Sequence, residues 1–578
     1  MHVNRMLMWV LLIAGIVPLG WRVGAIAQTR APEGSKSLAW GLTDAVHRIF
    51  PDEPYAGPMG NEWQIDAARN EYESCQLVLI AGSEDVRMAE VRARAFEGPA
   101  GVEIPASATT VRLVRTARVN DREWPDPLPE AYPIDIQQGA LQTYWITVHV
   151  PADASAGVYR STVAVSTMSR ENGGAVEIPL QLRVRDFDVP TVSRYQMVGA
   201  TPDLGRQYHI AHWLGGVLLR PKGVKMTLDE HDDLQLDFEA FDRNVEQELA
   251  RGVRELSLGL AYTGAGGFHR DSFDFRAHED GRVFLATDDP TGTPGSRRVW
   301  LCPVDRDDPD ADTPEIRKAR KYFTQYLSQI YEHLEAKGWT SHFSVYGADE
   351  PHGPKWPEPL KRYFALIKQI APKLRIMITY SPTDRFGPHV DVGCIMMNHL
   401  GPETIRTARK HGQELWCYSC GDLNNPALTI PHDAIKVRLW HWLQEKWHIR
   451  RTLLWQTVIG GDRFIDPGID GKGDGQIFWR QGPGRFFPGI RAELLRDGIE
   501  DREYLRTLRE LTSALSAKKT GGDVKEGLLA RARQLAEVPD GLVETQFKMT
   551  GDVGRLLERR DRIADTIERL QRALDEDS

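Results

Sequence analysis

Cysteine is scarce in this chain, with five in 578 residues: Cys75, Cys302, Cys394, Cys417 and Cys420. An odd, sparse set excludes a disulfide framework. Cys417 and Cys420 form a lone C-x-x-C, but no further ligands stand at zinc spacing. A local disulfide or two inert thiols is the favoured reading. A basic surplus is also missing. Lys and Arg number 72 against 81 Asp and Glu, a formal net charge of −9, which argues against a nucleic-acid partner. Beyond the first thirty residues no apolar run is long enough to cross a membrane. There is no internal repeat and no low-complexity tract.

What is present begins with an export signal. Arg5 gives a positive start, Met6 to Leu19 is apolar, and Ala25-Ile26-Ala27 is a small-x-small cleavage pattern. Residues 1–27 are therefore expected to be a signal peptide, with Gln28 the mature start. The alternative is an uncleaved anchor, which the short apolar run and Trp21-Arg22 disfavour. No Cys stands at the cleavage point, which argues against a lipoprotein. The expected compartment is secreted or periplasmic, with no stable membrane anchor after cleavage.

The length implies two or three domains. Residues 37–190 read as an all-β sandwich. Runs such as Cys75–Ile80, Val111–Val114, Tyr144–Val150, Val158–Val165 and Leu182–Phe187 are β-branched or aromatic and punctuated by turn residues. Residues 191–510 change grammar. Strands are expected at Tyr195–Gly199, Gly216–Arg220, Glu255–Leu260, Phe343–Tyr346, Arg375–Tyr380, Cys394–Asn398, Glu414–Tyr418 and Thr452–Trp455. Amphipathic segments Phe238–Arg251, Ile316–Lys337 and Pro359–Ile370 fall between several of them. Strands alternating with helices imply a parallel sheet, and eight such units imply a (β/α)8 TIM-like barrel. Ala261–Thr313 reads as a long loop, either a lid or cleft wall or a solvated insertion. Residues 511–578 read as a helical carboxyl-terminal extension.

Phe343-Ser-Val-Tyr-Gly-Ala-Asp349-Glu350-Pro351 is the most informative stretch. A strand ends on two carboxylates, and Pro351 halts the ladder. In a barrel that is the catalytic rim. Adjacent acids repel, so one is expected to keep its proton, as general acid catalysis requires. A solvated acidic turn is the plain alternative. Tyr380, Asn398, Tyr418 and Trp455 stand at other strand ends as pocket walls, offering hydrogen bonds or a ring for stacking, or as ordinary rim packing. Abundant Trp, 16 residues, leans the same way. Asp466, Asp470 and Asp474 lie among glycines without calcium-loop spacing, so a flexible turn is expected. Arg496-Asp497-Gly498 reads as helix packing and ion pairing.

These residues resemble glycoside hydrolase family 123, which includes retaining β-N-acetylgalactosaminidases. Ala68-Arg-Asn-Glu71-Tyr-Glu-Ser-Cys-Gln76 resembles the family's sandwich signature, and Phe238-Glu-Ala-Phe-Asp242-Arg243 its early barrel helix. Gly347-Ala-Asp349-Glu350-Pro351 matches the catalytic motif. Gly473-Asp-Gly475, Leu495-Arg-Asp-Gly-Ile-Glu-Asp501 and Glu503-Tyr-Leu505 resemble the carboxyl-terminal signature. The resemblance implies a substrate-assisted mechanism in which the 2-acetamido oxygen of the sugar attacks the anomeric carbon. Asp349 would orient the acetamido N–H and stabilise the oxazolinium-like charge. Glu350 would act as acid, then base. The implied substrate is a glycan with a terminal β-linked N-acetylhexosamine, GalNAc preferred, with no metal and no organic cofactor. Gln456-Thr457 follows Trp455 where an Asn is expected, which leaves the sugar preference open. Two other readings stand: a retaining glycosidase with a conventional nucleophile such as Asp462, and a non-catalytic glycan-binding protein on the same scaffold.

Overall fold

The computed structural model describes residues 38–576, except 169–174, 200–213, 218–222, 259–273, 278–281, 286–296, 301–302, 306, 352–356, 381–385, 422–427, 459–470, 483–484 and 519–522. The expected signal peptide, and Asp462, Asp466 and Asp470, lie outside the described residues.

In the amino-terminal part, strands Leu38–Asp44, Tyr72–Ala81, Leu141–His149 and Thr109–Leu113 form one sheet in that spatial order. A second sheet is built around Val86–Ala93, Gly157–Ser166 and Ala175–Asp188, with Trp63–Arg69 added in parallel at one side. Strand alternation turns Leu42, Leu77, Leu79 and Ile146 of the first sheet, and Ile65, Val91, Val163 and Ile178 of the second, into one apolar cluster. The expected β runs overlap these strands.

Next, eight parallel strands close into a barrel. They are β1 (Met197–Gly199), β2 (Leu214–Val217), β3 (Glu255–Leu258), β4 (Phe343–Asp349), β5 (Arg375–Thr379), β6 (Val392–Met396), β7 (Glu414–Tyr418) and β8 (Arg451–Leu454). β8 pairs with β1 to seal the ring. Inside lie Val198, Tyr346, Met377, Val392, Cys394, Trp416, Tyr418 and Leu453. Alternate residues such as Val345, Ile376 and Ile378 face outward into the helix-packed cluster.

The helices follow ordinary chemistry. Glu239–Ala250 is α1 and Pro314–Lys337 is α2. Thr313 caps α2 by accepting the Ile316 N–H at 3.3 Å, and Gly338, at φ 70°, ends it in the left-handed region. α3 is Pro357–Ile370, α4 Pro402–Lys410 and α5 Ala434–Trp447. The barrel departs from eight regular βα units. Among the described residues between β5 and β6 there is only a short 3-10 turn, Gly387–His389. The 261–313 stretch is no bare loop either. Asp274–Ala277, Arg282–Leu285 and Arg297–Trp300 join Lys225–Leu228 and Leu234–Asp237 in a five-stranded antiparallel sheet.

α6 (Ile490–Ala517) runs through residue 510, where the sequence suggests the barrel ends. α7 (Asp523–Ala536) and α8 (Val553–Glu576) follow. α8 folds back on the amino-terminal sheets. Arg560 pairs with Glu71, with Glu73 at 3.1 Å and with Asp501 at 3.0 Å, all buried. Tyr504 donates to Glu71 Oε2 at 2.6 Å, and Glu500 accepts the Tyr72 N–H at 3.1 Å. Arg438 bonds both oxygens of Asp501 at 2.8 Å. Arg496 bonds Asp497 at 2.9 Å and Glu493 at 2.6 Å, the ion pairing expected for that motif. Gly498 has a packing reason: an added Cβ would stand 2.7 Å from His441 and 2.8 Å from the Arg438 carbonyl, across the α5–α6 contact. Cys417 and Cys420 form no disulfide. Cys417 is a buried thiol that accepts from Gln444 Nε2 at 3.0 Å.

Candidate active site

Three local features of β4 put two adjacent carboxylates into the barrel mouth. First, the β4–β5 register slips between Tyr346 and Ala348, a bulge at Gly347. In a regular strand Tyr346 and Asp349, three apart, would face opposite sides. The extra residue brings them to one side, and the Tyr346 hydroxyl donates to Asp349 Oδ1 at 2.5 Å. Second, Gly347 sits where a side chain has no room. A Cβ there would lie 2.8 Å from Phe364 and 2.9 Å from Ile376. Third, Glu350 has φ 41°, a left-handed conformation that a non-glycine residue adopts at a cost of about 1–3 kcal/mol. Pro351 further restricts it. The turn breaks strand alternation, so Glu350 reaches the interior rather than the outer face.

Thr379, the last residue of β5, ties the pair together. Its hydroxyl donates to Asp349 Oδ1 at 2.8 Å and accepts the Glu350 N–H at 2.9 Å. Two donors converge on one oxygen of Asp349. Oδ2 has no protein partner among the described residues. Glu350 Oε1 accepts the Tyr418 hydroxyl from β7. Burial, with Asp349 adjacent, pushes the Tyr346 phenol well above its ordinary pKa. Burial and the bond to Glu350 do the same for Tyr418. Both phenols therefore stay protonated and act as donors.

The four expected wall residues fare differently. Tyr418 is bonded to the pair. Trp455 directly follows β8, is 38% exposed, and donates from Nε1 to Asp474 Oδ1 at 3.4 Å. Asn398 sits on a 3-10 turn after β6, and its buried Oδ1 has no hydrogen-bond partner among the described residues. Tyr380 lies one residue past β5, and its ring packs edge-on against Phe386 at 5.9 Å. The inward position at that strand end belongs to Thr379. Asp474 is not part of a solvated turn. It is 6% exposed and accepts the Gly421 N–H at 2.6 Å, tying the loops after β7 and β8 together. No group of three His, Cys, Asp or Glu suited to a metal occurs among the described residues.

Residues 311–508 match the family model described as glycoside hydrolase 123, catalytic domain, and residues 40–167 the glycoside hydrolase 123 N-terminal domain. The chain belongs to glycoside hydrolase family 123. A family 123 glycoside hydrolase from Clostridium perfringens that hydrolyses glycolipid glycans has a similar structure. It is 14% identical, with a TM-score of 0.63 over 93% of this chain and 99% of that one. At that identity the likeness speaks for the fold. Apo beta-glucuronidase 3 of Bacteroides uniformis is more distant, at 10% identity and a TM-score of 0.27 over 75% of this chain and 51% of that one. No curated protein matches the chain. The catalytic-domain match includes Asp349 and Glu350, so this family 123 hydrolase carries its carboxylate pair inside the matched segment.

Thr379 and Tyr346 escaped the sequence reading as site residues. Strand parity is the signal that finds Thr379; for Tyr346 parity misleads, and only its place in the motif points to it. Thr379 shares its face with Met377 inside the barrel, and Tyr346 lies within the motif itself.

Proposed function

We propose that this glycoside hydrolase is exported and removes terminal β-linked N-acetylhexosamine, GalNAc preferred, with retention and by substrate assistance. One observation carries the reading: the two carboxylates are chain neighbours, yet separate hydroxyls brace them. Thr379 and Tyr346 hold Asp349 by one oxygen, and Tyr418 holds Glu350. Conventional retaining pairs flank the sugar, one as acid and one as nucleophile. Neighbours on one strand end suit a different division. Asp349 Oδ2 receives the acetamido N–H and offsets the charge that develops as the acetamido oxygen attacks the anomeric carbon. Glu350 protonates the departing oxygen, then takes a proton from the water that opens the cyclic intermediate. Two inversions give retention. Trp455 supplies an exposed indole for ring stacking. Asn398 Oδ1 and Gln456 Oε1, both buried and without a partner among the described residues, are acceptors for sugar hydroxyls. The glycolipid-glycan activity of the Clostridium perfringens relative supports a glycan as substrate.

Paired nitrophenyl 2-acetamido and 2-hydroxy glycosides test the mechanism, together with a thiazoline analogue of the cyclic intermediate. Turnover confined to the acetamido sugars, with tight thiazoline inhibition, is expected. Comparable rates on both sugars without inhibition would overturn it in favour of a carboxylate nucleophile. Amino-terminal sequencing from the native host tests export. Gln28 or a near neighbour is expected first, whereas intact Met1 in the membrane fraction would favour an anchor.

A further inference from the structure

At the opposite end of the barrel from Asp349 and Glu350 lies a cavity of about 640 Å³. Its walls are the segments that lead into the strands. Arg194 precedes β1, Arg254 and Glu255 enter β3, Arg375 opens β5, and Arg450 and Arg451 enter β8. The length of β4 sets it about 20 Å from the catalytic pair, at 3.3 Å per residue.

The charges around this cavity do not balance. Glu255, 2% exposed, is held by Arg375 with 2.6 Å to each oxygen. Glu414 stands 3.6 Å from Arg375 and 3.5 Å from Arg450. Among the described residues Arg194 pairs with Glu510 alone, at 3.8 Å between two largely exposed side chains. Arg254 forms no ion pair among the described residues. The five guanidiniums therefore share Glu255, Glu414 and Glu510, with Asp391 adding a further pull on Arg375. Arg451 is the odd one. It is 4% exposed, and its Nε–H has no hydrogen-bond acceptor among the described residues. The nearest Glu255 oxygen is 3.8 Å away, beyond hydrogen-bond range. Nη1 touches the carbonyls of Arg194 and Gln196 only at 3.5 and 3.4 Å. Burial, with Arg450 adding to it against the pull of Glu255, lowers the pKa of Arg451. Arg451 also lies over the Trp416 ring at 5.8 Å, so what the cavity offers an anion is the convergence of five guanidiniums, with Arg254 outside any ion pair among the described residues.

We propose that this cavity binds a small tetrahedral oxyanion, sulfate or phosphate, either free or as the ester of a sugar. Guanidinium forks match the oxygen spacing of such groups and pair with them in bidentate fashion. The bound anion would tie together the entries to β1, β3, β5 and β8 without touching the substrate.

The test is calorimetric titration of the full chain with sodium sulfate, sodium phosphate, galactose 6-sulfate and glucose 6-phosphate, in about 150 mM NaCl to screen non-specific attraction. Saturable binding of at least one of the four is expected. The exposed pair Arg254→Gln/Arg450→Gln should weaken it by about 10-fold or more. The melting temperature without anion and the glycosidase turnover should stay near wild type. Arg451→Lys keeps the charge but loses the fork, and should weaken binding too. If that buried variant fails to fold, the double variant decides. Tighter binding of the esters than of the free ions would identify a sugar ester as the ligand. The reverse would identify the free ion. Absence of binding by all four at about 10 mM, or a double variant that binds like wild type, would overturn the assignment.

Discussion

Replacing Thr379 by Val isolates what the threonine hydroxyl does. The two side chains have nearly the same shape, so the volume filled at the inner end of β5 is preserved. Two hydrogen bonds disappear: the 2.8 Å donation to Asp349 Oδ1 and the 2.9 Å acceptance from the Glu350 N–H. A hydrogen bond to a charged group contributes about 1.5–3 kcal/mol, and an orphaned buried N–H costs about 1–3 kcal/mol. Tyr346 still holds Asp349 Oδ1, so the carboxylate is loosened rather than released. If the first loss is felt fully in the transition state, kcat/KM falls by roughly 10- to 150-fold, at about 1.4 kcal/mol per decade. The second loss acts on the strained backbone at Glu350 and lowers the melting temperature by a few degrees, about 2–4 °C per kcal/mol for a large domain. The assay is steady-state turnover of a nitrophenyl 2-acetamido glycoside, with thiazoline inhibition and thermal melting alongside. A positioning role puts the loss mainly in kcat, weakens the thiazoline in parallel, and is rescued by Thr379→Ser. A valine variant within about threefold of wild type in both kcat/KM and thiazoline affinity would refute the reasoning.

Glu350→Gln keeps size but cannot move a proton. Turnover of poor leaving groups should drop by about 10²–10⁴-fold, and activated aryl glycosides should suffer less in the first step. Gly347→Ala pushes a methyl to 2.8 Å from Phe364 and 2.9 Å from Ile376, so denaturant unfolding should show about 1–3 kcal/mol of destabilisation. Trp455→Ala removes the exposed indole after β8, and KM should rise about 10-fold with a smaller change in kcat. Burial raises the Asp497 carboxyl to about 7 and moves Glu500 in the same direction. A carboxyl whose folded pKa exceeds its unfolded value of 3.8 keeps its proton longer in the folded chain. It therefore costs stability as pH rises from 3.8 toward 7 and adds no further slope above that. Melting temperature should fall across this window and fall less in Asp497→Asn; identical slopes for the two proteins would remove Asp497 as the cause.

The regular parts of this fold were readable because burial imposes a period. The barrel strands announce themselves as short apolar runs, and α2 carries its cap residues, Thr313 and Gly338, in the sequence. The irregular parts were not readable, and each has a local cause. β4 was expected to stop at Tyr346 but runs to Asp349, because a glycine bulge lets the ladder continue past a slip in register. The same slip makes Tyr346 a partner of Asp349, which strict alternation forbids. At β5 a one-residue difference in the strand end matters for the same reason. Tyr380 packs outward on Phe386 while Thr379 takes the inward place. The five-stranded sheet between β2 and β4 escaped because its strands pair across a long separation, and no local pattern encodes the partner.

The two conspicuous segments outside the catalytic motif lead to a different point. Glu71 to Gln76 and Leu495 to Leu505 are rich in charge, and charge near an active site suggests chemistry. Here the charges meet one another instead. Glu71 lies between Tyr504 and Arg560, Glu73 between Arg438 and Arg560, and Asp501 between the same two arginines. All are buried where the amino-terminal sheets, α5, α6 and α8 converge. A buried carboxylate left without its cation is strongly destabilising, at about 3–5 kcal/mol for a broken pair. The pairing therefore ties these elements to one arrangement, and a change at one position demands changes on several elements at once. Asp349 and Glu350, by contrast, take hydroxyl donors at the barrel mouth. The charge-rich segments are thus the geometric condition for the barrel to sit against its neighbours, while the proposed chemistry rests on the smaller set around Thr379.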